Sequence, residues 1–189
     1  MSGRPECAKI HTKAEIQYVR VLEDKLADVF VHINDGLDKD TKYAAPEQSA
    51  VLDQVGCLYQ PLVLGMQLEQ TLEIKNSDPF MHNVNAQAKR GAFNVAMIKP
   101  GVVEREFKKP QVMVPIECNV HPWMKAWIGV VAHPFFAVTD DNGQFEIKDV
   151  PPGNYTVEFW HSKLGTQSKS VQVSGSQNTK LDVQFEAKP

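Results

Sequence analysis

The segment Cys118-Asn119-Val120-His121-Pro122-Trp123-Met124 places three potential metal ligands within one short stretch of the chain. It follows apolar side chains at Val112, Val114 and Ile116, an alternation typical of a half-buried strand. We therefore expect Cys118 to lie on the core-facing side of that strand. A thiolate, an imidazole and a thioether are softer donors than magnesium or calcium prefers, so the segment predicts a copper site.

A second histidine is needed to complete a site of two histidines, one cysteine and a weak axial methionine, the ligand set of blue copper sites. The segment Asn76-Ser77-Asp78-Pro79-Phe80-Met81-His82-Asn83 supplies this histidine at His82. It comes after a predicted strand in which Leu72 and Ile74 face inward. Asn83 is expected to hydrogen-bond across to the loop that carries Cys118 and to stiffen it.

Composition narrows the class of protein. A chain of 189 residues is long enough for one large domain or two small ones with a packed core. At 42% hydrophobic and 23% charged residues, the chain is typical of globular proteins. A net charge of −3 gives no support for nucleic-acid binding. No apolar run approaches the ~20 residues of a transmembrane helix, so we predict no transmembrane segment.

The number of cysteines, three, gives an indication of the cellular compartment of the protein. If Cys118 binds a metal, Cys7 and Cys57 remain as a potential disulfide pair, which would suit an oxidising environment. The alternative is two unpaired, buried thiols. No signal peptide is visible at the start of the sequence, and we expect one to have been removed.

Short strands separated by glycine and proline turns are predicted along most of the chain. No amphipathic helix of ten or more residues is found, and 36–48 is expected to be a surface loop. The sequence therefore predicts an all-β fold, a sandwich or a pair of sandwiches. The predicted strands are 15–22, 28–34, 50–54, 58–63, 70–75, 82–87, 93–98, 104–107, 111–118, 126–132, 135–139, 144–148, 154–161, 168–173 and 179–185.

The copper-site segments resemble the cupredoxin family, the plastocyanin, azurin and halocyanin-like blue copper proteins, over roughly residues 45–131. Residues 63–78 are similar to the strand that precedes the family's first histidine ligand. The resemblance implies a Greek-key β-sandwich that holds one copper ion cycling between Cu(I) and Cu(II). The ligands it implies are His82 as first imidazole, Cys118 as thiolate, His121 as second imidazole and Met124 as axial thioether. The chain departs from many members in its short ligand loop, where only two residues separate the last two ligands.

The end of the chain has a second likeness. Thr139-Asp140-Asp141-Asn142-Gly143-Gln144-Phe145, followed by Pro151-Pro152-Gly153-Asn154-Tyr155-Thr156-Val157, resembles the carboxypeptidase regulatory-like module, a smaller transthyretin-type or immunoglobulin-like sandwich. We expect a copper domain at 45–131 and this module at 132–189. Strands from 15–34 would complete the module if the copper domain is inserted into it. The alternative is a clean division after residue 131.

The combined likeness implies a periplasmic or extracellular electron carrier that is not an enzyme. Its partner would be a redox protein such as a c-type cytochrome, docking on Pro122 and Trp123 beside His121, whose ring edge is expected at the surface. The alternatives are a copper-delivery protein and a more open copper site with a catalytic role. His133 and His161 are candidates for a second metal site, or else hydrogen-bonded structural histidines.

Overall fold

The structure, a computed structural model, describes residues 5–11, 16–175 and 178–186. Its regular secondary structure in these ranges is almost all strand, with one four-residue helix, which confirms the predicted all-β class. No helix in the described ranges is long and apolar enough to cross a membrane. The elements are α1 (Pro5–Ala8), β1 (Val21–Leu22), β2 (Lys25–Leu26), β3 (Phe30–Asp35), β4 (Ala50–Val55), β5 (Leu58–Gln60), β6 (Val63–Gln67), β7 (Leu72–Asn76), β8 (His82–Ala86), β9 (Phe93–Met97), β10 (Gly101–Arg105), β11 (Gln111–Glu117), β12 (Lys125–Val131), β13 (Phe136–Val138), β14 (Gly153–His161) and β15 (Gly165–Val173).

Three strand predictions are wrong. Residues 144–148 and 179–185 form no strand, and of 15–22 only β1 is a strand, residue 15 lying outside the described ranges. The side chains that suggested the first two strands nevertheless pack on a core cluster: Phe145, Ile147, Leu181, Val183 and Phe185. Alternation of apolar residues reports which side chains are buried, and it does not report whether the backbone finds a ladder of hydrogen bonds.

The chain divides into two compact units. The first comprises 1–17 and 44–132, and the second comprises 18–43 and 133–189. In the first unit, one sheet has the strand order β10-β7-β4-β5 and the other has the order β6-β12-β11-β8-β9. The pairs β4–β7 and β6–β12 are parallel, and the remaining pairs of these two sheets are antiparallel.

A large apolar cluster lies in the first unit, and both of its sheets contribute to it. Leu52, Leu72 and Ile74 come from one sheet, and Ile116 and Ile128 come from the other, each with no exposed surface. Burying one such side chain contributes about 1.5–3 kcal/mol. The cluster also contains Cys118 and Met124, so two of the predicted metal ligands pack in this core.

Strand β11 carries the alternation that precedes the ligand loop. Val114, Ile116 and Cys118 are buried as predicted, with 2%, 0% and 2% of their surface exposed. Val112 does not share that face, because it is 42% exposed. The pairing of β11 with β12 shifts register between Gln111 and Val114, and a shift of one residue turns the preceding side chains to the other face.

The Cys7 and Cys57 sulfurs form a disulfide that joins α1 to the turn between β4 and β5. The structure therefore favours the disulfide over two unpaired thiols. The turn is a two-residue loop in which Gly56 and Cys57 have φ values of 62° and 58°. Positive φ at both central residues is the requirement of a type I′ hairpin turn.

The second unit has one four-stranded sheet of order β13-β3-β14-β15. Strand β3, from the early part of the chain, pairs with both β13 and β14, which lie more than 100 residues later. Val31 of β3 and Val157 and Phe159 of β14 form a buried cluster with Val29.

His133 and His161 are held as neutral structural side chains in the second unit. His133 donates from Nε2 to the carbonyl of Ile33 at 2.9 Å, and its Nδ1 accepts the Phe135 N–H. His161 accepts at Nδ1 from the N–H groups of Lys163 and Leu164. Burial lowers the pKa of both imidazoles below the ordinary value of 6.5.

These two pKa shifts predict that the second unit loses stability in mild acid. As the pH falls below 6.5, these histidines take up protons in the unfolded chain before they do so in the folded chain. The free energy of unfolding therefore decreases as the pH falls, until the pH reaches the lower pKa of the folded state. The slope is at most about 1.4 kcal/mol per pH unit for each histidine. Amide-exchange protection in β14, measured from pH 7.5 to 5.5, checks this. The double variant His133→Asn and His161→Asn is expected to flatten the profile, and an unchanged profile would refute the assignment.

Candidate metal centre

Two neighbouring antiparallel strands bring the predicted ligands to one end of the sandwich. Strand β8 begins at His82, and β11 ends at Glu117, which lies opposite Asn85. Because the strands run in opposite directions, Cys118, the residue after β11, lies beside the start of β8. The Asn119 N–H donates to Oδ1 of Asn83, which confirms the predicted hydrogen bond between the two segments.

The donor atoms of His82, Cys118 and His121 all lie within 4.8 Å of one another. Nδ1 of His82 is 2.9 Å from Nδ1 of His121, and the latter atom is 3.8 Å from Sγ of Cys118. The three side chains are 0%, 2% and 1% exposed, respectively. A buried thiolate with two imidazoles suits copper or zinc and does not suit hard cations such as magnesium.

The short loop after Cys118 closes on itself through backbone contacts. The His121 N–H points to Sγ of Cys118 at 3.4 Å, and the Met124 N–H donates to the His121 carbonyl at 2.9 Å. The Cys118 N–H donates in turn to the Met124 carbonyl at 3.3 Å. Met124 is fully buried in the core cluster that also contains Cys118. Its role as an axial ligand remains a prediction.

His121 is not at the surface, and the expectation of an exposed ring edge is wrong. Only 1% of its surface is exposed. The rings of Phe80 and Trp123 lie against it, with centroids 6.4 and 5.1 Å from that of the imidazole. Trp123 turns inward because its indole Nε1–H donates to the Cys57 carbonyl at 3.1 Å. These two aromatic side chains, hereafter the aromatic cap, separate the donor cluster from solvent on this side.

The local charges favour a thiolate at this position. Burial opposes ionisation of Cys118, but hydrogen bonds from His82 and from the backbone at Asn83, His121 and Val120 hold the pKa of its thiol below the ordinary value. Burial likewise lowers the pKa of His82, but its contacts with Cys118 and Asp78 outweigh this and raise it. Both shifts act in the direction of the charged forms of these two side chains. A deprotonated sulfur is the form that binds soft metals.

Asp78 is a further residue of the site, and the sequence patterns assigned it no role. Its Oδ2 lies 2.7 Å from Nε2 of His82, and the residue is only 5% exposed. The one feature of the sequence that could have indicated this contact is the position of Asp78 four residues before His82. Cys57, Asp78 and His82 also form a group with metal-ligand spacing, but the Cys57 sulfur is committed to the disulfide.

His133 and His161 are not brought together with other metal ligands. Within the described ranges, neither belongs to a cluster of three or more histidine, cysteine or carboxylate side chains. Their hydrogen bonds to backbone groups, given above, agree with the structural alternative.

Several solved structures are similar to part of this chain. The copper-containing nitrite reductase NirK from Thermus scotoductus aligns at 23% identity and a TM-score of 0.41, covering 51% of this chain, which spans 25% of that protein. A mutant of amicyanin in its Cu(I) form aligns at 20% identity and a TM-score of 0.40, covering 53% of this chain and 97% of amicyanin. A purple cupredoxin from Nitrosopumilus maritimus aligns at 21% identity and a TM-score of 0.38, covering 43% of this chain and 99% of that protein.

The sequence comparisons concern the C-terminal part. No curated protein matches the chain. A family model does match, over the segment in which the motif Thr139-Asp140-Asp141-Asn142-Gly143 and the Pro151-Pro152-Gly153 bend were recognised. The predicted likeness is thereby confirmed for this part of the chain: residues 130–186 match the carboxypeptidase regulatory-like domain.

Proposed function

We propose that the chain is a mononuclear type 1 copper protein that carries one electron at a time between redox partners. The proposed ligands are His82, Cys118 and His121, with Met124 as the axial ligand. The observation that carries this proposal is the grouping of one thiol and two imidazoles within 4.8 Å in a buried site. Bound copper would supply a one-electron couple between Cu(I) and Cu(II).

The protein contributes to electron transfer by fixing the positions of the donor atoms and by excluding water from them. His82 begins a strand, Cys118 follows a neighbouring strand, and Asn83 ties the two segments together. Donors fixed by strands and by a short hydrogen-bonded loop move little when the charge of the site changes, which favours fast electron transfer. The aromatic cap keeps water from the imidazole of His121.

Burial also supports an electron carrier over the two alternatives. A delivery protein must let its metal leave, and a catalytic copper site must leave a coordination position open to substrate. Here His82 and His121 are 0% and 1% exposed, and the aromatic cap covers the second of them. With His121 covered, electrons would enter and leave through the aromatic cap, in which Trp123 is half-buried and follows the exposed Pro122. A redox protein such as a c-type cytochrome is the proposed partner.

The proposal includes a compartment and a domain arrangement. The Cys7–Cys57 disulfide supports a periplasmic or extracellular location, where such bonds persist. The pairing of β3 with β13 and β14 supports a copper domain at 45–131 that is inserted into the carboxypeptidase regulatory-like module, with residues from 15–34 completing that module.

Copper release distinguishes a carrier from a delivery protein. The Cu(I)-loaded protein is expected to lose metal to a competing chelator far more slowly than it exchanges electrons with a small redox reagent. Phe80→Ala, which opens one side of the aromatic cap, is expected to speed release, whereas Phe93→Ala, outside the cap, serves as the control. Rapid release from the unaltered protein would favour delivery and contradict the proposal.

A further inference from the structure

The carboxylate of Asp78 is held by three hydrogen-bond donors in the wall of the site. Its Oδ2 is 2.7 Å from Nε2 of His82 and 2.8 Å from the backbone nitrogen of Cys57. Its Oδ1 accepts the N–H of Gly56 at 2.8 Å. Asp78 is 5% exposed and His82 is fully buried, so water does not compete for these bonds. All the partners of this carboxylate therefore face it as donors.

This arrangement fixes which nitrogen of His82 carries the proton. A carboxylate only accepts hydrogen bonds, so Nε2 of His82 must be the protonated, donating atom. Nδ1 is then the nitrogen left with a lone pair in the neutral ring. That atom lies 2.9 Å from Nδ1 of His121, on the side of the donor cluster.

The backbone of Cys57 binds this carboxylate and also binds Trp123, the aromatic side chain that packs on His121. The Cys57 N–H binds Asp78, while its carbonyl accepts the indole N–H of Trp123. Its own position is fixed by the disulfide to Cys7. One cross-linked turn thus supports the partners of both imidazoles, which leaves Asp78 little freedom to move away from His82.

We propose that Asp78 is a positioning residue of the copper site. It holds His82 in the tautomer that presents Nδ1 to the metal, and its negative charge makes the imidazole a stronger donor. A stronger donor favours Cu(II) over Cu(I), so Asp78 lowers the reduction potential. This inference rests on the proposed function, because it requires metal at His82.

The variant Asp78→Asn tests the proposal. It keeps the size of the side chain, but it removes the charge and turns an amide toward backbone donors. Affinity for Cu(II) is expected to fall by about 10–100-fold, as for other partners of metal-binding histidines, with a smaller change for Cu(I). Each tenfold fall in the affinity for Cu(II) relative to the affinity for Cu(I) raises the reduction potential by about 59 mV. Voltammetry and competitive copper titration measure both quantities.

Asp53→Asn is the matched control. Asp53 lies on β4 and accepts from Oγ of Ser77 at 2.8 Å, so this variant removes the same charge from the same region without touching His82. A larger potential shift in Asp78→Asn than in Asp53→Asn supports the proposal. Equal shifts would overturn it, because charge alone would then account for the effect.

A second readout does not depend on the variant binding copper. In the diamagnetic Cu(I) form of the unaltered protein, nitrogen-15 NMR is expected to show the Nε2–H proton of His82 as hydrogen-bonded and slow to exchange. A rapidly exchanging Nε2–H, or a proton on Nδ1, would overturn the positioning role. If the unaltered protein binds no copper, the proposed function itself fails. If it shows a type 1 spectrum that Asp78→Asn leaves unchanged together with its potential, only the role of Asp78 fails.

Discussion

Replacing Cys118 with serine is expected to abolish the intense visible absorption of the copper-loaded protein. That absorption arises from charge transfer between a thiolate and Cu(II), and Cys118 is the only free cysteine, the other two being joined in the disulfide. A serine hydroxyl is a harder donor that stays protonated near neutral pH. Copper affinity should fall by more than about 100-fold, since even the loss of a partner outside the ligand set costs 10–100-fold.

A neighbouring substitution provides the control for this variant. Asn119→Ser introduces the same side chain one residue later, at an exposed position. The backbone N–H of residue 119 can still donate to Asn83, so the loop keeps its attachment. Absorption spectra of both variants at equal copper loading check the prediction. An intense band that survives in Cys118→Ser would show that the sulfur is not a ligand.

Phe30→Ala and Phe159→Ala are expected to destabilise the same unit, although the two positions are 129 residues apart in the chain. Both side chains are buried, with 0% and 2% of their surface exposed, on the paired strands β3 and β14. Truncating a buried phenylalanine to alanine costs about 3–5 kcal/mol, from lost burial and from the cavity left behind. The proposed insertion requires that both costs fall on the carboxypeptidase regulatory-like module.

Native-state hydrogen exchange can assign each loss of stability to a unit. Both variants should lower amide protection in β15 and leave β7 of the first unit nearly unchanged. Phe107→Ala, at a position 1% exposed in the core of the first unit, should produce the opposite result. If Phe30→Ala lowered protection in β7 and spared β15, residues 15–34 would not belong to the module.

Sequence patterns predict what local backbone geometry determines. The alternation at Val114, Ile116 and Cys118 places these residues on one buried face because side chains of a strand alternate between its two faces. The same rule fails at Val112, where a register shift interrupts the strand pairing. At 144–148 and 179–185 the alternating apolar side chains are partly buried against a core cluster, but the backbone forms no strand, so the strand predictions fail there.

Other features of the site depend on contacts between distant segments. The spacing of Cys118 and His121 suggests a metal loop, but it cannot reveal that Trp123 folds back onto the Cys57 carbonyl and covers His121. Asp78 lies four residues before His82 in the sequence, and this spacing alone assigns it no role. Its function as a hydrogen-bond partner follows from the Gly56–Cys57 turn, which holds the carboxylate in place. These contacts are tertiary, and no local period encodes them.

The visible and electron paramagnetic resonance spectra of the Cu(II)-loaded protein test the central proposal most directly. Copper bound by the Cys118 thiolate and the imidazoles of His82 and His121 should give an intense visible band and a narrow copper hyperfine splitting. The stoichiometry should be one copper per chain. Weak visible absorption with a wide hyperfine splitting, the pattern of copper bound by nitrogen and oxygen ligands alone, would contradict a type 1 site.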